Sequence, residues 1–598
     1  MNYRREQAKK VRYAAADMAY NRPHQRHVNN GDENKYRVTE RMADGTFVKD
    51  LGPSLINSFT KGLEHGENGI VKNAEDFAAF IRAADSGDLE LIRNLPLNEN
   101  VAWLSPVAQN ANGEGRPATI RAWESMASGL THDLQGPDAQ AVCIPPAPAL
   151  ESDELVSELA EIYWMALCRD IRFDQFSGNA TIQAAIAHLN QLPWLANPAE
   201  SGLHAYEQNR KRGYFAGGGP IAFDGNTIFR GNIKGDDIGF HISQFLYVGN
   251  KALGNEPNSF SEAQGLIRFG SCINDQRVRI ASPGVDYMTT WEHWLDVQNG
   301  ADLRGLEKYV PVENDNNIDR EVGYRFIITP RDLATYVHYD ALHQAYFNAC
   351  LILLNNGIPF DPGVPFRNVD SIDAQTGFAT FGGPHILNLV SEVATRALKA
   401  VRYQKFNVHR RARPEQIAGW VHRFKSGQGM DLEPFEKINA KLGADLLNRV
   451  RQHNAAQNPE GSPDSWLLPM PFVEGSPMHP SYGSGHATVA GACVTILKAF
   501  FDEGSILPFA YVPSPQGRNL IPDAANLGRY TVEGELNKLA ANIAFGRNWA
   551  GVHWYSDQLE SLRLGEQIAL GILEEQKLQY GENFSMNVPL FDGTTIRI

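Results

Sequence analysis

Two histidines, His479 and His486, stand seven positions apart in "PMHPSYGSGHATVAG", around Ser484 and Gly485 and immediately before an apolar run. Pro480, Gly483 and Gly485 oppose a continuous helix before His486, whereas "HATVAGACVTILKAFF" supports one after it. Ser484, Gly485 and His486 therefore fall at a helix amino terminus, where free N–H groups and the helix dipole favour an anion, and Gly485 lets an oxyanion approach the backbone closely. A purely local reading is also open, in which Ser484 only caps the helix and His486 bonds nearby.

A second cluster, "VRYQKFNVHRRARP", carries Arg402, Lys405, His409, Arg410, Arg411 and Arg413. Lys405, His409 and Arg413 recur at four-residue steps, which places them on one side of a helix that persists to Pro414; a solvated face or a nucleic-acid contact are the other uses of such a run. In the third cluster, "FGRNWAGVHWYSDQLESL", Arg547 precedes His553 by six residues and Asp557 follows it by four. That last spacing predicts one helix face, from which the carboxylate fixes the imidazole tautomer. Read alone, His553 beside Trp554 and Tyr555 also fits a core histidine. The three clusters together supply cations, a hydroxyl, helix-terminal N–H donors and imidazoles, without carboxylates for magnesium or thiolates for zinc. Such a set suits a tetrahedral oxyanion, and phosphate, sulfate and vanadate all satisfy it.

The elements that must hold these groups are mainly helical. "TPRDLATYVHYDALHQAYFNACLILLNNG" reads as one helix with Thr329 as N-cap, Pro330 at the first position and Gly357 as its stop. A helix following Pro384 ends near Pro414. Further helices are expected over 485–502, 533–546 and 553–576, and "ESDELVSELAEIYWMALCRDIRF" reads as amphipathic. Residues 210–325, with "FAGGGPIAFDGNTIFRGN", read as Gly-rich loops with a short hairpin. The division expected is an N-terminal helical region, 1–325, containing the loop-rich segment 210–325, followed by a helical bundle, 326–598, that carries the anion site.

With 55 basic and 69 acidic side chains among 598 residues, the net charge of −14 opposes nucleic acid and anionic membrane surfaces as partners. No stretch approaches the roughly 20 apolar residues of a bilayer span. The basic amino terminus lacks the apolar core of a secretory signal, which points by default to the cytoplasm. Five scattered cysteines form neither a metal-binding spacing nor a disulfide framework.

In order and spacing, Lys405 to Arg413-Pro414, Ser484-Gly485-His486, and Gly546-Arg547 with His553 and Asp557 resemble the three-part signature shared by vanadium-dependent haloperoxidases and related acid phosphatases. The length is similar to the algal and cyanobacterial bromoperoxidase branch. This resemblance implies an all-α fold of two four-helix bundles packed together, with Gly-rich loops and minor short β hairpins. It implies vanadate as cofactor, with Lys405, Arg413, Ser484, Gly485 and Arg547 bonding its oxygens and His553 as the metal ligand. His486 would be the acid–base group, assisted by His479 and Lys405, with Asp557 and Arg402 in support; His479 would tune the proton affinity of an adjacent His486. Substrates would be hydrogen peroxide, bromide or iodide, and small organic acceptors, and the protein would be a homo-oligomer. The resemblance also raises a structural calcium, for which "IPFDPGVPF" offers Asp361 and backbone carbonyls. An acid phosphatase, with His553 attacking phosphorus and His486 protonating the leaving alcohol, is the alternative enzyme, and a non-catalytic anion-binding scaffold the alternative of another class. Two departures from the family pattern are a gap of seven residues between Lys405 and Arg413, one longer than usual, and Gly483 where many relatives have proline.

Overall fold

A computed structural model describes the chain except residues 1, 42–45, 54, 98–100, 112, 114, 197–201, 212–221, 251–261, 312–322, 367–373, 428–429 and 432. The glycine-rich stretch 215–220 lies outside the described residues. The helices that matter for the site are α1 (Asp153–Cys168), α2 (Pro330–Tyr339), α3 (Gln344–Asn355), α4 (Gly383–Tyr403), α5 (Pro414–Lys425), α6 (Gly485–Phe500), α7 (Val532–Trp549) and α8 (Tyr555–Gln579). Helix α6 is central: α4, α7 and α8 pack around it to form a four-helix group, and α2 lies on α7. A second group forms around α1, with helices Ala180–Leu189, Glu433–Leu442 and Ala444–Gln457. One continuous apolar core runs from Tyr36 to Ile598, so helices before and after residue 326 share it. Strands are few and short, as in the hairpin Leu266–Phe269/Cys272–Asp275 expected within 210–325, where Ile267 pairs with Asn274. Among the described residues no helix is long and apolar enough to cross a membrane.

Close backbone contact sets the position of α6. A Cβ on Gly491 would lie 2.0 Å from the carbonyl oxygen of Leu562, and one on Gly565 2.0 Å from that of Thr488, so only glycine permits α6 and α8 to cross this closely. The crossing brings the start of α6 against Ser561, whose hydroxyl accepts a hydrogen bond from the Ser484 N–H at 2.8 Å.

Several sequence expectations change. The helix expected over 329–357 is two: Thr329 caps α2 and Pro330 opens it, but Asp340 leaves the helix as its C-cap (ψ 147°), and α3 starts at Gln344. No proline or glycine marks that break, so apolar spacing read straight through it. The helix after Pro384 stays α only to Tyr403, then widens into a π turn over Gln404–His409 and stops at Arg410 with φ 44°. Lys405, His409 and Arg413 therefore do not share a face. Helix α1, expected to be amphipathic, is buried nearly all round; its acidic side chains Glu154 and Glu158 are paired with the buried Arg210 and Arg411.

Candidate active site

Arg413, the residue before Pro414 and the N-cap of α5, lies in extended backbone (φ −79°, ψ 156°). The preceding segment is tied to the N-terminal part of the chain, since the Ala412 N–H donates to the Asn57 carbonyl (3.1 Å) and the Phe59 N–H to that of Arg410 (2.8 Å). From this seat Arg413 reaches two of the predicted histidines. Its Nη1 donates to Nε2 of His553 (3.0 Å), and its Nη2 to Nδ1 (2.8 Å) and the carbonyl (2.8 Å) of His479. Lys405, projecting from the π turn, donates through Nζ to the carbonyls of Pro480 (2.7 Å) and Ser481 (3.0 Å). All three sequence clusters thus meet around residues 479–481, since Arg413 also reaches His553 and the Ser481 hydroxyl reaches Asp557. Arg547 joins from the last turn of α7, its Nη1 donating to the Val337 carbonyl at 2.8 Å.

His553 and Asp557 do not share a helix face. His553 precedes the helix, Trp554 is the N-cap of α8, and Asp557 at the third helical position reaches back across the terminus. One oxygen, Oδ2, accepts from His553 Nδ1 (2.8 Å), from the Trp554 N–H (3.1 Å) and from the Ser481 hydroxyl. The other, Oδ1, accepts from Arg411 Nη1 (2.9 Å), and Arg411 in turn bonds Glu158 Oε2 (2.8 Å). This arrangement holds the proton of His553 on Nδ1 and leaves the lone pair of Nε2 free to accept from Arg413. Burial first, then Arg413, Lys405 and Arg547, hold the His553 imidazole well below its ordinary range, so it is neutral at pH 7.

Ser484 is the N-cap of α6, its Oγ accepting from the Ala487 N–H at 3.4 Å. The N–H groups of Gly485 and His486, at the first two helical positions, have no hydrogen-bond partner among the described residues. His486 donates through Nε2 to Oδ1 of Asp340 at 3.0 Å, the residue that caps the end of α2 at the break before α3. His479, accepting at Nδ1 from Arg413, carries its proton on Nε2 and faces Glu124 Oε2 at 3.3 Å; Glu124 Oε1 also pairs with Arg402. No hydrogen bond joins His479 to His486. Each imidazole answers instead to its own carboxylate and to the cations: burial first, then Lys405 and Arg413, depress His479, while burial depresses His486 against the opposing pull of Asp340. The expected mutual tuning of the two rings is not what these contacts support.

The cations are under strain from one another. Burial, then Arg413 and Arg402, hold Lys405 well below the ordinary ammonium range. Arg413 is brought down to about 9, by burial first and by Arg547 and Arg402 in part. Arg547 is brought down by burial to about 10. A bound anion relieves that repulsion. Nη1 of Arg402 and Nε of Arg547 are buried and without a partner, and a Cβ on Gly485 would lie 3.3 Å from that same Nη1. Idle donors around a cradle that a methyl group would fill fit an oxyanion.

His409, part of the second cluster, stays outside this group: it packs edge-on against Tyr482 with ring centroids 4.7 Å apart. Asp361 gives Oδ1 to the Gly363 N–H (2.7 Å) and Oδ2 to the Asn587 N–H (3.2 Å), so both carboxylate oxygens are already engaged. Sequence reasoning missed Asp340, Glu124, Ser481 and Ser561, and gave Arg411 no partner. The contacts of Asp340, Glu124, Ser481 and Ser561 link positions 76 to 278 residues apart, and Arg411 pairs across 146 and 253 residues, with no periodic or capping signal to announce them.

A family model described as the VCPO second helical-bundle domain matches residues 447–580. The vanadium-dependent bromoperoxidase of Corallina pilulifera is 48% identical over 98% of this chain and 97% of its own length; that of Corallina officinalis is 47% identical over the same shares. The vanadium-dependent bromoperoxidase of Ascophyllum nodosum is 33% identical over 91% of this chain and 86% of its own. The homohexameric structure of the second vanadate-dependent bromoperoxidase from Ascophyllum nodosum superposes with a TM-score of 0.79 at 26% identity, over 100% of this chain and 90% of that one. By the identity and reach of these matches, the chain belongs to the vanadium-dependent bromoperoxidase family.

Proposed function

We propose that this protein uses vanadate to oxidise bromide, and iodide, with hydrogen peroxide to hypohalous acid, which then halogenates small organic acceptors. The single observation that carries this reading is the unprotonated Nε2 of His553, whose proton Asp557 holds on Nδ1 and whose lone pair faces Arg413, with Lys405 and Arg547 close enough to act on its charge. When bound, vanadate supplies a Lewis-acidic vanadium(V) centre that activates peroxide toward halide without changing oxidation state. His553 offers its Nε2 lone pair as the metal ligand, and Asp557 keeps the proton on Nδ1. Lys405, Arg413 and Arg547 neutralise oxyanion charge in a site where His553 is only 2% exposed and water screens little. The hydroxyl of Ser484 and the N–H groups of Gly485 and His486 add neutral donors. His486, neutral and held through Nε2 by Asp340, accepts the proton that peroxide releases at its other nitrogen. Halide arrives beside Arg402 and His479, where the Glu124 side chain is 42% exposed.

Curated relatives of nearly full length are bromoperoxidases, which disfavours the acid phosphatase alternative. The homohexameric neighbour supports a homo-oligomer here as well. The test is bromination of a dione dye by peroxide with and without added vanadate, beside hydrolysis of an aryl phosphate by the same preparation. Vanadate-dependent bromination with negligible phosphatase turnover is expected; hydrolysis without bromination would overturn the proposal.

A further inference from the structure

Outside the oxyanion site, three side chains from separate segments converge beside α2. Glu307 lies in the loop after helix Trp291–Gln298, His338 in the last turn of α2, and Glu474 in the segment leading to His479. One ligand atom from each lies within 4.8 Å of the other two. His338 Nε2 is 3.4 Å from Oε1 of Glu474. The other oxygen of Glu474, on a side chain only 2% exposed, has no hydrogen-bond partner, and neither has Oε1 of Glu307 at 9% exposure. Two buried carboxylates thus face each other and an imidazole, with an oxygen on each left unsatisfied. Buried unpaired carboxylate oxygens are costly unless a proton or a cation lies between them.

We propose that Glu307, His338 and Glu474 bind one divalent transition-metal ion of the zinc or manganese type. Two oxygens and one imidazole nitrogen match such borderline ions, whereas calcium takes oxygens alone and copper(I) prefers sulfur. The ligands are held ready for it. The His338 ring stacks on Phe472 at 3.7 Å with 11° between planes, and Tyr339 donates its hydroxyl to Oε2 of Glu307 at 3.2 Å. A cation between Glu307 and Glu474 satisfies the unpartnered oxygen on each and draws the two carboxylates and the imidazole together. The site also has a structural consequence. Val337, whose carbonyl accepts from Arg547, and Asp340, which holds His486, flank His338 on the same turn. A metal there pins the wall of the oxyanion site through α2, and its binding stands independently of what that site holds.

The test uses the full chain, stripped with chelator and equilibrated with micromolar zinc before desalting and metal analysis. The expected content is about one zinc per chain, unchanged in His553→Ala, which removes a competing imidazole of the oxyanion site. The isosteric Glu474→Gln and, separately, Glu307→Gln are expected to weaken zinc binding about tenfold or more. Cobalt(II) gives a second readout, a visible ligand-field band in the wild type that both variants lose. Circular dichroism of each variant confirms its fold, and should Glu474→Gln not fold, Glu307→Gln carries the comparison. Absence of zinc from the wild type, or retention of wild-type zinc and the cobalt band in a folded glutamine variant, would overturn the proposal and leave a carboxyl pair sharing a proton.

Discussion

Replacing Asp557 by asparagine separates the shape of this residue from its charge. Its Oδ2 receives His553 Nδ1–H, the Trp554 N–H and the Ser481 hydroxyl, and Oδ1 receives Arg411 Nη1. Every partner is a donor, so the amide NH2 of asparagine must oppose one of them wherever it points. Turned toward His553, it forces the ring to accept at Nδ1 and carry its proton on Nε2, which removes the lone pair that bonds Arg413 and would bind vanadium. Loss of such a supporting carboxylate weakens metal binding by about 10–100-fold, or ~1.4–2.8 kcal/mol. Turned toward Arg411, it leaves that guanidinium with Glu158 as its one carboxylate. Asp557→Ala goes further, removing a partner of a buried ion pair at a cost of ~3–5 kcal/mol of stability. The assay is equilibrium dialysis of stripped protein against orthovanadate, with vanadium quantified per chain and the fold monitored by circular dichroism. Asp557→Asn binding vanadate within about twofold of wild type would refute the claim that this carboxylate fixes the His553 tautomer.

Other perturbations follow from the same contacts. Burial keeps His409 at about 3, so between pH 6.5 and that value the unfolded chain binds a proton that the folded one refuses, and the stability His409 contributes falls with falling pH. His409→Phe should therefore gain about 2 kcal/mol relative to wild type between pH 7.5 and pH 5 in urea unfolding; parallel pH profiles would contradict it. Gly491→Ala, which places a methyl group 2.0 Å from the Leu562 carbonyl, should lower both thermal stability and vanadate affinity, since it pushes the start of α6 away from Ser561. Glu124→Gln removes a half-exposed negative charge beside Arg402 and His479; the bromide KM should fall about two- to fivefold at low salt and converge with wild type at high salt.

What could be read from the sequence was local. Ser484 as a cap followed by Gly485 and an apolar run is a short-range pattern, and the folded chain keeps it because the first-turn N–H groups need acceptors wherever the helix packs. The proximity of His553 and Asp557 was also legible, although the geometry differs: the carboxylate reaches back over a helix terminus instead of along a face. Beyond that range periodicity fails. The stretch 330–355 carries helical spacing throughout, yet the chain breaks at Asp340, where tertiary contact with His486 prevails over propensity that no proline opposes. Lys405 lies on a π turn because α4 must widen to pass through the left-handed Arg410 into the segment that ends at the extended Arg413, which residues 57–59 hold from the other end of the chain. Pairings such as Arg411 with Glu158, or Arg402 with Glu124, join partners more than 250 residues apart and have no signature in one sequence.

Vanadate-dependent chemistry in this protein requires His553 to offer Nε2, with its proton held on Nδ1, to a metal oxyanion among Lys405, Arg413 and Arg547. The most direct measurement is an anomalous difference map from crystals soaked in orthovanadate. A single strong vanadium peak in bonding contact with Nε2 of His553, absent from His553→Ala crystals, is the result predicted. A peak that persists in those crystals, or that lies away from His553, would contradict it.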